Sequence, residues 1–240
     1  MIVLGIDTST SATAAALSMP DGALFERRDD PPAGSHPGHA TRLLTMVDGL
    51  LADAAIGLAD VGRIAVGAGP GTFTGLRVGI ATARGLAHSL GSELAAVSSL
   101  EALAFGALSA GGAAGRAVLA TIDARRGEVF AAAYSPDQQE LAAGRALAPL
   151  ELGSLLAEAE LEAALPLGVG DGAVRYRAAL EAAGAEVPPE DSPLHLLRGA
   201  AICELGRVAA AVGYAEVLPD YLRRPDAELA LEGATGGADS

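Results

Sequence analysis

The sequence predicts an α/β protein of two duplicated lobes with a cleft between them. Three features carry this reading. An apolar run, Ile2 to Ile6, ends at Asp7 and leads through a polar turn into two further strand-like runs. The pattern then restarts: Val118-Leu119-Ala120-Thr121-Ile122-Asp123 echoes Val3-Leu4-Gly5-Ile6-Asp7, and Pro136-Asp137 echoes Pro20-Asp21 at the same distance from its aspartate. Each half continues with alternating helices and strands, the pattern of helices packed over sheets.

The elements follow in order. Ile2 to Ile6, Ala12 to Ser18 and Ala23 to Arg27 read as a three-stranded antiparallel meander, with Pro20-Asp21-Gly22 as a turn. Asp29 to His39 is a Pro/Gly-rich loop. Thr41 to Ala55 carries Leu43, Leu44, Val47, Leu50 and Leu51 at helical spacing. A strand at Arg63 to Val66 runs into the loop Gly67-Ala68-Gly69-Pro70-Gly71-Thr72-Phe73-Thr74-Gly75-Leu76-Arg77, and Val78 to Leu90 reads as a helix. Leu94 to Val97 is a short strand, and Ser98-Ser99 caps a helix to Leu108. Ser109 to Gly115 is a linker, so residues 1–109 form the N-terminal lobe and 116–225 the C-terminal lobe. Within the second lobe, Arg198 to Val212 reads as a helix and Pro219 to Arg224 as a closing segment. Residues 226–240 form a frayed tail.

Composition narrows the chemistry. The chain has 240 residues, half of them hydrophobic, and a net charge of −14, which opposes direct binding to nucleic acid or anionic membranes. All 16 basic residues are arginine. The lack of lysine excludes a P-loop lysine, a Schiff base and a lysine general base. The single cysteine, Cys203, lies among apolar residues and reads as a buried thiol. No basic leader with a long apolar run opens the chain, and no apolar stretch is long enough for a membrane span, so a soluble cytoplasmic protein is expected.

The glycine loop lacks the Gly-Lys-Ser/Thr of a Walker motif, and its spacing departs from the dinucleotide fingerprint. It reads either as a phosphate cradle or as a structural turn from strand to helix. Thr72 and Thr74 either cap that helix or touch a ligand. Asp7, at a strand end beside hydroxyl residues, either orients a metal or water or closes a local turn. Asp123, before Arg125-Arg126-Gly127-Glu128, reads as a hairpin aspartate and secondarily as a functional one. In folds of this kind ligands sit at the carboxyl ends of strands, here near Asp7, Asp123 and the glycine loop. His36 and His39 lie three residues apart with no third ligand close in sequence. The helical stripes at 43–51 and 76–87 fit either an internal core or a subunit interface.

Four stretches occur together in order: Ile6-Asp7-Thr8-Ser9-Thr10, Gly69 to Gly79, Ser98-Ser99-Leu100-Glu101-Ala102-Leu103, and Asp123 to Phe130. Together they resemble the TsaB (YeaZ-like) family, dimerization subunits of the bacterial tRNA threonylcarbamoyladenosine (t6A) machinery. Pro219-Asp220-Tyr221-Leu222-Arg223 resembles the family's closing segment. The resemblance implies the ASKHA fold (actin-like, ribonuclease H-like). It also implies kinship with TsaD, the subunit that transfers threonylcarbamoyl to adenosine 37 of tRNA and whose His-x-x-x-His pair binds metal. Ser99 and Leu103 stand in the places of that pair, and neither can replace an imidazole ligand. The Asp7 turn also lacks the glycine and lysine of active ASKHA kinases.

The resemblance therefore implies a non-catalytic scaffold that binds TsaD and TsaE. It would form a homodimer in isolation, meet tRNA only through the complex, and have no membrane contact. No catalytic residue and no metal ligand are assigned, and no cofactor is expected on this chain alone. ATP/ADP and a metal ion would belong to partner subunits or a composite site. The implied interface is Leu43, Leu44, Val47, Leu51, Leu76, Arg77, Ile80, Ala83, Arg84 and Ala87. A vestigial nucleotide site would comprise Asp7, Thr8, Ser9, Gly69, Gly71, Thr72 and Asp123. The alternatives are an ATP-dependent phosphotransferase using Asp7 and the glycine loop, or a metallopeptidase-like protein.

Overall fold

The computed structural model describes residues 1–32, 35 and 37–222, so His36 and the tail at 226–240 lie outside the described residues. The chain opens as the expected meander: β1 (Ile2–Asp7), β2 (Thr13–Ser18) and β3 (Leu24–Asp29) pair antiparallel in sequence order. Helix α1 (His39–Asp53) leads to β4 (Val61–Gly69), which pairs parallel with β1, and α2 (Phe73–Leu90) leads to β5 (Glu93–Ser98), parallel to β4. The sheet order is β3-β2-β1-β4-β5.

Helix α3 (Ser99–Ser109) follows, its first turn capped by the Ser98 hydroxyl, which accepts from the Glu101 amide at 3.3 Å. The second meander is β6 (Val118–Arg125), β7 (Glu128–Tyr134) and β8 (Glu140–Leu147). After α4 (Leu152–Glu158), β9 (Leu167–Val169) pairs parallel with β6, giving the order β8-β7-β6-β9. Both sheets thus place a meander beside a parallel crossover strand, the duplication that the sequence pattern predicts. Short helices α5 (Asp171–Arg175) and α6 (Arg177–Ala182) precede α7 (Gly199–Val208).

Period-two alternation sorts the strands into layers. Leu4, Ile6, Leu17, Ile64 and Val66 face α1 and α2 on the outside of the first sheet. Leu119, Val129 and Ala131 face α4 to α6 outside the second sheet. Val3, Ala16 and Ala65 from one sheet, and Val118, Ala120 and Ile122 from the other, share a central layer with α3 and α7. Here the lobes exchange helices. The C-terminal α7 packs on β1, β2 and β4, and the N-terminal α3 packs on β6 and β7. The two sheets lie on either side of residues 109–116, and α3 and α7 each pack on the sheet from the other side of that segment. Cys203 sits inside α7, donating its thiol to the Ala16 carbonyl at 3.3 Å, and burial pushes its pKa up to about 12.

Leu43, Val47, Leu51, Ile80, Ala83 and Ala87 of the two helical stripes are buried within this chain in the core against the first sheet, and Leu76 is buried beside them. The reason is simple: an apolar sheet face needs covering, and the stripe that covers it has the spacing an interface would have. Leu44 and Arg77 are exposed and Arg84 is partly so.

Ile80→Asp buries an unpaired carboxylate and is expected to cost more than about 3 kcal/mol or to prevent folding. Ala81→Asp, one residue on and exposed, is expected to melt within about 0.5 kcal/mol of the parent. Urea denaturation of the two variants checks both.

Candidate functional site

The loop between β4 and α2 is shorter than its glycines suggest. Strand β4 runs on through Gly69 and α2 already starts at Phe73, leaving Pro70 to Thr72 as the connection. What fills the space around it is the β1–β2 turn. The Thr8 hydroxyl donates to the Gly75 carbonyl at 2.7 Å, and the Thr72 amide donates to the Ser9 carbonyl at 2.7 Å. A Cβ at Gly75 would overlap the Thr8 carbonyl oxygen, one at Gly79 the Thr8 hydroxyl, and one at Gly71 would sit 2.6 Å from Ser9 Cβ. Thr72 occupies the N-cap position of α2 without a side-chain cap bond.

Asp7 is buried behind this turn. Its Oδ1 accepts from the Ser9 amide at 2.9 Å and the Ser9 hydroxyl at 2.8 Å, and its Oδ2 accepts from the Ser99 hydroxyl at 3.3 Å. Burial raises its pKa, and these hydrogen bonds act against that rise. On the far side of the loop, the Asp220 amide donates to the Ala68 carbonyl at 2.7 Å, and Gly69 gives the Asp220 backbone room to approach. Asp7, Thr8, Ser9, Gly69, Gly71 and Thr72 thus form one packed unit.

Asp123 stands apart from it. A cleft of about 540 Å³ opens between the sheets, walled by Thr10, Arg28, Leu103, Asp123, Asp171 and Arg175 among others, with Asp7 and the glycine loop outside its walls. Asp123 closes the tight hairpin expected for it, accepting from the Arg125 amide at 2.9 Å. Its carboxylate also pairs with the guanidinium groups of Arg125 at 3.2 Å and Arg175 at 3.7 Å. The Asp123 amide donates to Asp171 Oδ1 at 3.0 Å. Desolvation pushes the Asp171 carboxyl up, the Asp123 amide pulls it down, and the Asp123 carboxylate pushes it up again.

Leu103 is a buried core residue at the wall of this cleft and Ser99 is spent on Asp7. Among the described residues, no three His, Cys, Asp or Glu side chains converge as a metal site. A hydroxyl already donating to a buried carboxylate and an aliphatic chain do not make a metal-binding donor set.

Sequence reasoning misplaced one polar group and missed the roles of two others. His39 is the first residue of α1 rather than part of a loop, buried with Nδ1 2.8 Å from the Thr13 hydroxyl. His195 lines the cleft. Its Nδ1 accepts from the Gly170 amide at 3.2 Å, and Nε2 faces the Pro188 and Pro189 carbonyls, which assigns its proton to Nε2. Asp171 had a signal in Gly170-Asp171-Gly172, directly after a short apolar run, the same strand-end placement as Asp7 and Asp123.

Two lobes with repeated sheets, exchanged helices and a cleft between them define an ASKHA-type protein. A profile of the family TsaD, tRNA N6-adenosine threonylcarbamoyltransferase, matches residues 31–162. TsaB of Escherichia coli is 43% identical over 140 residues, 58% of this chain and 57% of that protein. An uncharacterized Mycobacterium tuberculosis protein is 36% identical over 232 residues, 94% of this chain and 93% of that one. A Pseudomonas aeruginosa crystal structure described as similar to peptidase YEAZ superposes with TM-score 0.74 at 31% identity, covering 92% of this chain and 99% of that one. The chain belongs to the TsaB/YeaZ-like family, related to TsaD. Its match to the E. coli relative takes in little more than half of that protein.

Asp171 gives a test of the cleft's electrostatics. Its folded-state pKa lies above the ordinary 3.8, so the stability it contributes is fully present below that value and is lost as pH rises through the folded-state pKa. Asp171→Asn keeps an oxygen for the Asp123 amide and cannot ionise. Its stability relative to the parent is expected to be greater at about pH 8 than at about pH 3. Parallel pH profiles from thermal melts would contradict this.

Proposed function

We propose that this chain is a non-catalytic subunit in tRNA threonylcarbamoyladenosine biosynthesis. It binds the TsaD transferase, helps recruit TsaE, and contributes no reacting group. The observation that carries this reading is the state of its two strand-end aspartates. Asp7 is sealed beneath the protein's own turn, and Asp123 is held by two arginines beside a leucine-walled cleft. Neither is left as a metal ligand or as a free base. The TsaB names of its relatives support the pathway.

In this reading ATP or ADP and a metal ion are held by the partners or by a composite site, and tRNA reaches the chain only within the complex. The partner face is the outward side of α1 and α2, with Leu44, Phe73 and Arg77 exposed on it. Without TsaD the same face pairs two copies, since a self-complementary patch favours two-fold association. Among the described residues no helix is long and apolar enough to cross a membrane, which is compatible with work in the cytoplasm alongside tRNA.

Reconstitution with TsaD, TsaE, tRNA and a threonylcarbamoyl donor tests this. The chain alone is expected to modify no tRNA, and its addition is expected to raise TsaD turnover at least about tenfold, a barrier change of about 1.4 kcal/mol. Unchanged TsaD activity, or tRNA modified by this chain unaided, would remove the proposal.

A further inference from the structure

Acidic residues outnumber basic ones 30 to 16 in this chain, so carboxylates are abundant partners for every arginine. Eleven arginines of the described residues lie within ion-pair distance of one. Arg77 and Arg84 have no carboxylate partner among the described residues. Both belong to α2, seven residues apart, which puts them on one side of the helix about 10 Å apart along its axis.

Arg77 is nonetheless held in place. Its guanidinium carbon lies 3.7 Å from the centroid of the Phe73 ring, and its Nε donates to the Tyr221 hydroxyl at 3.0 Å. Tyr221 stacks in turn on Phe73, with centroids 5.4 Å apart and planes at 24°. Phe73 remains 43% exposed. Tyr221 is carried there by the C-terminal segment that Asp220 pins to the glycine loop. The stack fixes the Arg77 fork and leaves its terminal nitrogens without a carboxylate. Ala81, between the two arginines, and Gly85, next to Arg84, are both exposed and let another backbone come close beside them. A preorganised arginine beside an exposed aromatic ring has the make-up of an interface anchor, because the entropy of ordering it is already spent.

We propose that Arg77 and Arg84 read two carboxylates, about two helical turns apart, on a helix of the partner protein laid against α2, with Phe73 as the apolar anchor and Tyr221 as the residue that positions it. This rests on the reading of the α2 face as the partner face, and it adds the partner's chemistry. Charge complementarity selects the occupant. A chain of net charge −14 repels polyanions as a whole, whereas a planar arginine fork fits a protein carboxylate in bidentate geometry.

Binding of TsaD to the full chain tests this, with the parent compared with Arg77→Glu, Arg84→Glu and the double variant across a salt series. Circular dichroism melts confirm that each variant is folded, and Arg84→Glu, whose guanidinium has no ion-pair partner among the described residues, is the cleanest. Each single reversal is expected to weaken binding about tenfold and the double variant further. The parent's affinity should fall as salt rises, and the double variant's should not. Tyr221→Phe keeps the stack, loses the hydroxyl, and should weaken binding less than Arg77→Glu. If the parent binds TsaD and the double variant binds equally well, the carboxylate reading is overturned while the subunit proposal stands. If the parent does not bind TsaD, both fall. If the reversals instead weaken binding of isolated tRNA, the pair reads phosphate and the inference is wrong.

Discussion

The structure depends on one contact: the Thr8-Ser9 turn seated against the first turns of α2. Three glycines, Gly71, Gly75 and Gly79, clear the space, and two hydrogen bonds, from Thr8 to Gly75 and from Thr72 to Ser9, close it. This contact sets the height of α2 over β1 and β4 and therefore which of its residues meet the core. It also buries Asp7, whose second oxygen then reaches Ser99 and ties the start of α3 to the end of β1. The C-terminal segment locks onto the same loop from the other side through Asp220. Strand end, loop, helix and chain end thus converge on the space that these glycines leave open.

The duplicated aspartates show how two equivalent positions come to differ. Asp7 and Asp123 end the first strands of equivalent meanders. Around Asp7 the neighbours are serine hydroxyls and an amide, which satisfy a carboxylate without solvent. Around Asp123 they are arginines, an amide and a tyrosine hydroxyl, on the wall of an open cleft. The first lobe has closed its strand-end site and presents α2 outward. The second lobe keeps the cleft, but its polar groups answer one another across it.

Much of this was legible in the sequence. The meanders and their repetition showed in alternation, in turn residues and in aspartates at matching distances. Ser98 was readable as a cap because a serine before an apolar helical run has one common use. The glycine loop misled on length, since Gly75 reads as part of the loop but lies inside α2, where it makes room for the Thr8 carbonyl, a reason that exists only in three dimensions. The apolar stripes of α1 and α2 could not be assigned to core or interface because both demand the same periodicity. The crossing of α7 to the first sheet, and of α3 to the second, leaves no local trace at all. The cleft walls come from the β1–β2 turn, β3, α3, β6, α5 and the segment before α7, so His195 and Asp171 came to share the cleft with Asp123 only through topology.

The seating of the turn against α2 is tested most directly by a pair of glycine substitutions in one helix, read as unfolding free energies in urea. Gly85→Ala meets nothing within 4 Å and should stabilise the protein by about 0.5–1 kcal/mol through helix propensity alone. Gly75→Ala gains the same propensity but drives its methyl group into the Thr8 carbonyl, and overpacking against backbone outweighs that gain by roughly 1–3 kcal/mol. The expected result is opposite signs for the two variants. A stabilised Gly75→Ala protein would mean that the turn does not rest where the account puts it.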